Sequence, residues 1–125
     1  MANGTVTIPA FGNGSSYVKL ADGTMFQWGS FTKQIPSGSA YADTVITYPV
    51  AFNSGSPIHV VMSCDEPGEP SSTQGNACIP SVYGTGVGVS TRLTQCTARV
   101  WKQGSTGTGN NPLPTFSWIA IGRWK

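Results

Sequence analysis

The chain has 125 residues, of which 10% are charged, and a formal net charge of +2. Its 16 glycines and 9 prolines exclude helical bundles and coiled coils, which need long helical faces without breakers. An apolar fraction of 38% with four tryptophans argues against disorder and suits one domain with a single modest core.

The seven Lys and Arg are scattered, apart from loose sets around Arg92–Lys102 and at the C-terminus. Neither is a run that tracks a phosphate backbone, so no nucleic-acid partner is expected. No apolar stretch approaches the roughly 18 residues of a bilayer span. Met1-Ala2-Asn3-Gly4 lacks the basic and apolar regions of a secretory signal, so extracellular work would need another delivery route.

Residues 1–14 read as an N-terminal lead-in, with Asn3-Gly4 and Gly12-Asn13-Gly14 as loop chemistry, and residues 15–125 as the domain proper. Tyr17-Val18-Lys19-Leu20 and Met25-Phe26-Gln27-Trp28 are strand-like runs joined by Asp22-Gly23, a strong hairpin signal. Val18 and Leu20 share one face, as do Phe26 and Trp28. Trp28 and Trp118, in strongly alternating runs, are assigned to the core.

After Pro36-Ser37-Gly38-Ser39, residues 41–52 read as a strand centred on Val45-Ile46 and running into Tyr48-Pro49-Val50-Ala51-Phe52. The cleanest strand is Ile58 to Cys64. Ile58, Val60, Met62 and Cys64 lie on one face; His59, Val61 and Ser63 lie on the other, which Val61 makes partly apolar. Residues 65–77 hold three of the five acids and form a long surface loop, a length often tied to function.

Residues 79–90 read as glycine-punctuated β-structure. Val89 to Gln103 fits helical spacing at Val89, Leu93, Cys96 and Val100, and strand alternation at Cys96, Ala98 and Val100. Its five β-branched residues decide for a strand. A second polar loop follows to Pro114, and Thr115 to Gly122 is the last strand, with Phe116, Trp118, Ala120 and Gly122 on one face. Short strands separated by turns predict an all-β antiparallel sandwich or small barrel.

Catalysis finds little support. His59 is the only histidine, it sits mid-strand, and no G-x-S-x-G elbow occurs. A glycosidase would need two carboxylates across a cleft, which leaves Asp43 with a loop acid such as Glu66 as the one conceivable pair. Cys64 and Cys78 flank the 65–77 loop and are placed to clip its base, although small buried thiols in a reducing cytosol are the plainer reading. No C-x-x-C pair occurs, so no single-chain zinc site is expected. No cofactor is indicated. One His59 per chain near a three-fold axis would be the only arrangement able to bind a metal; a surface or interface role is the simpler one.

Sugar recognition is better served. Aromatic rings stack on the apolar face of a pyranose while amides, carboxylates and guanidiniums bridge hydroxyls. Tyr83, Trp101 and Trp124 are the stacking candidates, with Arg92 and Arg99 near Trp101. Glu66 and Glu69 in the first loop, and Asn110 and Asn111 in the second, are the polar candidates.

Three segments carry a resemblance. Gly14 through Gly29 contains Tyr17-Val18-Lys19-Leu20-Ala21-Asp22-Gly23 and Phe26-Gln27-Trp28-Gly29; Tyr48-Pro49-Val50-Ala51-Phe52 is central; Phe116-Ser117-Trp118-Ile119-Ala120-Ile121-Gly122 is terminal. Together they resemble the C-terminal tip domain of bacteriophage tail fibres, also found on phage-tail-like bacteriocins. That family reads G-hydrophobic-K-L-P-x-G, then Q-W-G, F-P-x-A-F and F-x-W-x-A-I-G. Ala21 stands where Pro is usual, and Tyr48 where Phe is usual.

The resemblance implies an antiparallel β-sandwich like an H-type lectin, assembled as a homotrimer. It implies a non-enzymatic receptor-binding tip in the virion, attaching to bacterial surface polysaccharide or to an outer-membrane protein. A trimerisation cap is the alternative role, and a polysaccharide-degrading enzyme a more distant one. Fibres of this kind carry long upstream segments, so a chain with Met1 so close reads as a fragment or a small stand-alone relative. The family's recognition loops differ with host, so the six site residues, Glu66, Glu69, Tyr83, Trp101, Asn110 and Asn111, rest on loop position alone.

Overall fold

The computed structural model describes residues 16–36, 38–65, 77–103 and 115–125. These form seven strands and no helix: β1 (Ser16–Lys19), β2 (Thr24–Thr32), β3 (Tyr41–Thr47), β4 (His59–Asp65), β5 (Ala77–Tyr83), β6 (Gln95–Gln103) and β7 (Thr115–Arg123). All pairings are antiparallel, in a four-stranded sheet ordered β1-β2-β7-β4 and a three-stranded sheet ordered β3-β6-β5. The sheets face each other across one core. Met25, Trp118 and Ala120 from the first meet Ile46, Cys96 and Ala98 from the second. The sandwich anticipated from alternation is therefore present.

Local chemistry explains the elements. The β1–β2 hairpin closes where Leu20 N donates to Thr24 O at 2.8 Å and Gly23 N donates to Leu20 O at 3.1 Å. Gly23 takes φ +97°, a left-handed conformation that side chains disfavour, and Asp22 Oδ1 accepts from Thr24 N at 2.8 Å. Pro80, which has no N–H to give a ladder, lies in β5 at the edge of its sheet.

The three motif segments interlock. Gln27 is fully buried. Its Nε2 donates to Val50 O at 2.7 Å and its Oε1 accepts from Val50 N at 2.9 Å. A Cβ at Gly29 would stand 2.8 Å from the Trp118 ring, and one at Gly122 would stand 2.6 Å from the Phe52 ring. Each glycine is thus a notch that receives an aromatic side chain of another motif.

Several sequence expectations shift in detail. β3 ends at Thr47, and the segment from Tyr48 is a strap, not strand: Tyr48 N and Phe52 N donate to Thr94 O and Leu93 O, both at 2.9 Å. Its backbone groups are spent on the turn opposite, and Pro49 has no N–H to continue a ladder. β5 ends at Tyr83 because Gly84 turns away at φ +85°. In the stretch from Val89, the first residues are turns, with Arg92 N bonded to Val89 O and Thr94 N to Thr91 O; the strand starts at Gln95. Trp118 is core, but Trp28 is not. The inward positions of β2 are Met25, Gln27 and Gly29, and the place a large inward residue would take at Gly29 is filled by Trp118. The lead-in 1–14, residues 66–76 and 104–114 of the expected loops 65–77 and 103–114, and the Cys78 side chain lie outside the described residues.

Gln27→Ala leaves the Val50 N–H and C=O without their buried partner and lowers unfolding free energy by at least about 2 kcal/mol. Gly122→Ala lowers it by roughly 1–3 kcal/mol through overpacking, whereas Gly88→Ala, which meets open space, changes it little; urea midpoints measure all three. Tyr48→Phe acts in the opposite direction. The Tyr48 hydroxyl is buried with no nitrogen or oxygen partner among the described residues and meets only the Cys96 thiol, a weak hydrogen-bonding group, so its removal raises stability by up to about 1 kcal/mol, read as a higher melting temperature.

Candidate functional site

The outer face of the three-stranded sheet is built by strand register. Directly opposed positions place Tyr41, Trp101 and Ile79 in one row; Asp43, Arg99 and Ser81 in the next; and Val45, Thr97 and Tyr83 in the third. Alternation sends Ala42, Val100 and Ala98 to the core and these nine outward. Tyr41, Val45, Ile79, Tyr83 and Trp101 are all exposed.

Arg99 organises the face. Its Nε and Nη2 donate to Asp43 Oδ1 and Oδ2 at 2.8 and 2.9 Å, a bidentate pair. Tyr83 reaches across the intervening strand, and its hydroxyl donates to Asp43 Oδ2 at 3.0 Å. The guanidinium carbon lies 4.0 Å from the Tyr41 ring centroid, 5.3 Å from Tyr83 and 5.4 Å from Trp101, within reach for cation–π attraction. Tyr41 and Trp101 pack tilted at 5.1 Å. Trp101 Nε1 donates to Ser81 Oγ at 3.0 Å, and that hydroxyl donates to Arg99 O at 3.3 Å. The Arg99 bond, with a smaller contribution from Tyr83, holds the Asp43 carboxyl below the usual carboxylate range.

Of the six site residues expected from sequence, Tyr83 and Trp101 share this face. Glu66, Glu69, Asn110 and Asn111 lie outside the described residues. Tyr41, Asp43 and Ser81 were not anticipated as their neighbours. Their outward alternation is visible in sequence, but the register joining strands so distant in the chain is not. Trp124 and Arg92 have other duties. Trp124 Nε1 donates to Leu20 O at 2.9 Å, and the ring lies under the Lys19 and Lys125 ammonium groups. Arg92 is buried and donates to Ser54 O at 2.7 Å and Ser56 O at 3.0 Å, so it braces the turn before β4.

The opposite outer face, on the four-stranded sheet, carries two largely apolar rows beside a row of serines, Ser30, Ser117 and Ser63. Trp28, Ile119 and Val61 form one register row, and Phe26, Ile121 and His59 the next. Val61 is 67% exposed and Ile119 49%. Among the described residues no group of three or more His, Cys, Asp or Glu side chains gathers for a metal, and no helix is long and apolar enough to cross a membrane.

Residues 19–123 match the family described as "Putative tail fiber protein gp53-like, C-terminal". The chain belongs to that family. Searches of the curated proteins and of the solved structures give no match. Membership gives this gp53-like domain a phage tail-fibre role and a virion-associated location. The matched span includes the Gln27–Val50 clamp, both glycine notches and the whole aromatic face.

The Asp43–Arg99 pair also makes stability depend on pH. Asp43 has a lowered pKa in the folded domain, so its contribution is complete above the ordinary aspartate value and is lost as pH falls through the lower, folded one. The melting-temperature gap between wild type and Asp43→Asn therefore narrows as pH is lowered from about 6 to about 2, as thermal unfolding across that range will record.

Proposed function

We propose that this domain is the receptor-binding tip of its fibre. It is a non-enzymatic module that attaches the virion to a glycan on the host bacterial surface. The observation that carries the reading is the exposed grid of Tyr41, Trp101 and Tyr83 around one fixed guanidinium. Rings anchored on a sheet by their neighbours offer stacking area at little entropic loss, and sugars present matching apolar faces. The chemistry does not favour hydrolysis. Asp43, one member of the conceivable carboxylate pair, is committed to Arg99 and Tyr83 and held ionised, a poor general acid at neutral pH.

The apolar rows of the four-stranded sheet support a homotrimer. Val61 and Ile119 are large aliphatic side chains facing solvent in one chain, and burial between copies removes them from water. Three weak sugar sites then gain by effective concentration, on the order of 10²–10⁴ in avidity. The segments 65–77 and 103–114, read as loops from the sequence and carrying Glu66, Glu69, Asn110 and Asn111, are proposed to extend the contact.

Labelled protein should bind saturably to a subset of bacterial strains. Trp101→Ala with Tyr41→Ala lowers that binding by at least about tenfold without changing oligomeric mass, while Val61→Asp reduces a trimer to monomers by light scattering. Undiminished attachment by the double variant, with both loops shortened, would instead make the domain a trimerisation cap.

A further inference from the structure

We infer that the outer face of the three-stranded sheet selects uncharged glycans, and that Asp43 sets this selectivity by occupying Arg99. The inference rests on the receptor reading above and adds the chemical class of the ligand.

An arginine grips an acidic sugar through the same fork that grips aspartate, two parallel N–H donors on two oxygens. Here that fork is already closed. Nε and Nη2 are both bonded to Asp43, and Tyr83 adds a third donor to the same carboxylate. A uronate or phosphate arriving at the grid would meet an ionised Asp43 in the position it needs, and like charges at that distance repel. Lys33 is close enough to help lower the Asp43 carboxyl, but an ammonium is a point charge without the fork geometry.

What the face still offers suits a neutral ring. Tyr41, Trp101 and Tyr83 are 43%, 38% and 44% exposed, with Ile79 and Val45 at the margins. The indole N–H is turned to Ser81 and is not an outward donor. Among the described residues Asp43 Oδ1 accepts from Arg99 Nε alone, which leaves it and the hydroxyl oxygen of Tyr83 as acceptors for sugar hydroxyls. Stacking therefore carries the affinity and the Asp43–Arg99 pair supplies orientation, with no net charge at the centre of the contact.

The test is an array of bacterial O-antigen and capsular polysaccharides of known repeating unit, both neutral and acidic, probed with the full chain. Hits are expected among neutral repeats and should persist in about 0.5 M salt, where exposed charge–charge attraction is screened. Asp43→Asn removes the competing charge and one arm of the fork, and should add acidic repeats to the hits, with binding to them lost in the same salt. Asp43→Glu, which can remake the pair, should leave the preference neutral; circular dichroism and oligomeric mass check that both variants fold. Hits confined to acidic repeats, or an Asp43→Asn variant that gains none, would overturn this inference and leave the glycan reading standing. No hit on any polysaccharide, with cell attachment abolished by protease treatment of the cells, would overturn the glycan reading itself.

Discussion

The fold depends on a buried amide. Gln27 sits fully enclosed in the middle of the four-stranded sheet, where an unpaired polar group would be costly. Its donor and acceptor are both met by one residue, Val50, in the segment that carries the chain from β3 in one sheet to β4 in the other. The clamp fixes the path of that crossover. Phe52 then falls into the notch at Gly122, Asn53 N bonds Arg123 O at 2.8 Å, and Arg92 ties Ser54 and Ser56 beneath it. The two sheets are held in a single relative position by polar contacts at one end as much as by apolar packing between them.

Much of this architecture can be read before any coordinates. Period-two alternation places Val60, Met62, Phe116, Trp118 and Ala120 inward, and the structure agrees. Asp22-Gly23 makes the expected turn. Alternation misleads at β2, where the larger aromatics Phe26 and Trp28 point out and a glutamine and a glycine point in. Side-chain size suggests the opposite phase, and only the partners Val50 and Trp118, distant in sequence, make it sensible. The candidate site shows the same boundary. Tyr83 and Trp101 stand out as aromatics beside polar loops, but Tyr41 and Asp43 join them only through the pairing of β3 with β6, which no local pattern encodes.

Charge is used sparingly. Among the described residues the Asp43–Arg99 pair is the one salt bridge, and it lies on the surface, where such pairs add little to stability. Its partners are rings and a tyrosine hydroxyl rather than the core, so its clearest effect is to hold a set of exposed side chains in one arrangement. The apolar rows through Trp28 and Ile119 lie on the opposite side of the sandwich. In the proposed trimer the aromatic faces would therefore look sideways from the axis. On the receptor reading proposed above, that orientation suits engagement with polymer strands lying alongside the tip.

The strict inside–outside alternation of β3, β5 and β6 has an evolutionary consequence. Tyr41, Asp43, Ile79, Tyr83 and Trp101 can be exchanged without touching the neighbours Ala42, Ala98 and Val100 that face the core. Mutational drift on the exterior thus leaves core packing untouched, and on the receptor reading proposed above it would let a lineage sample new host ranges on one scaffold.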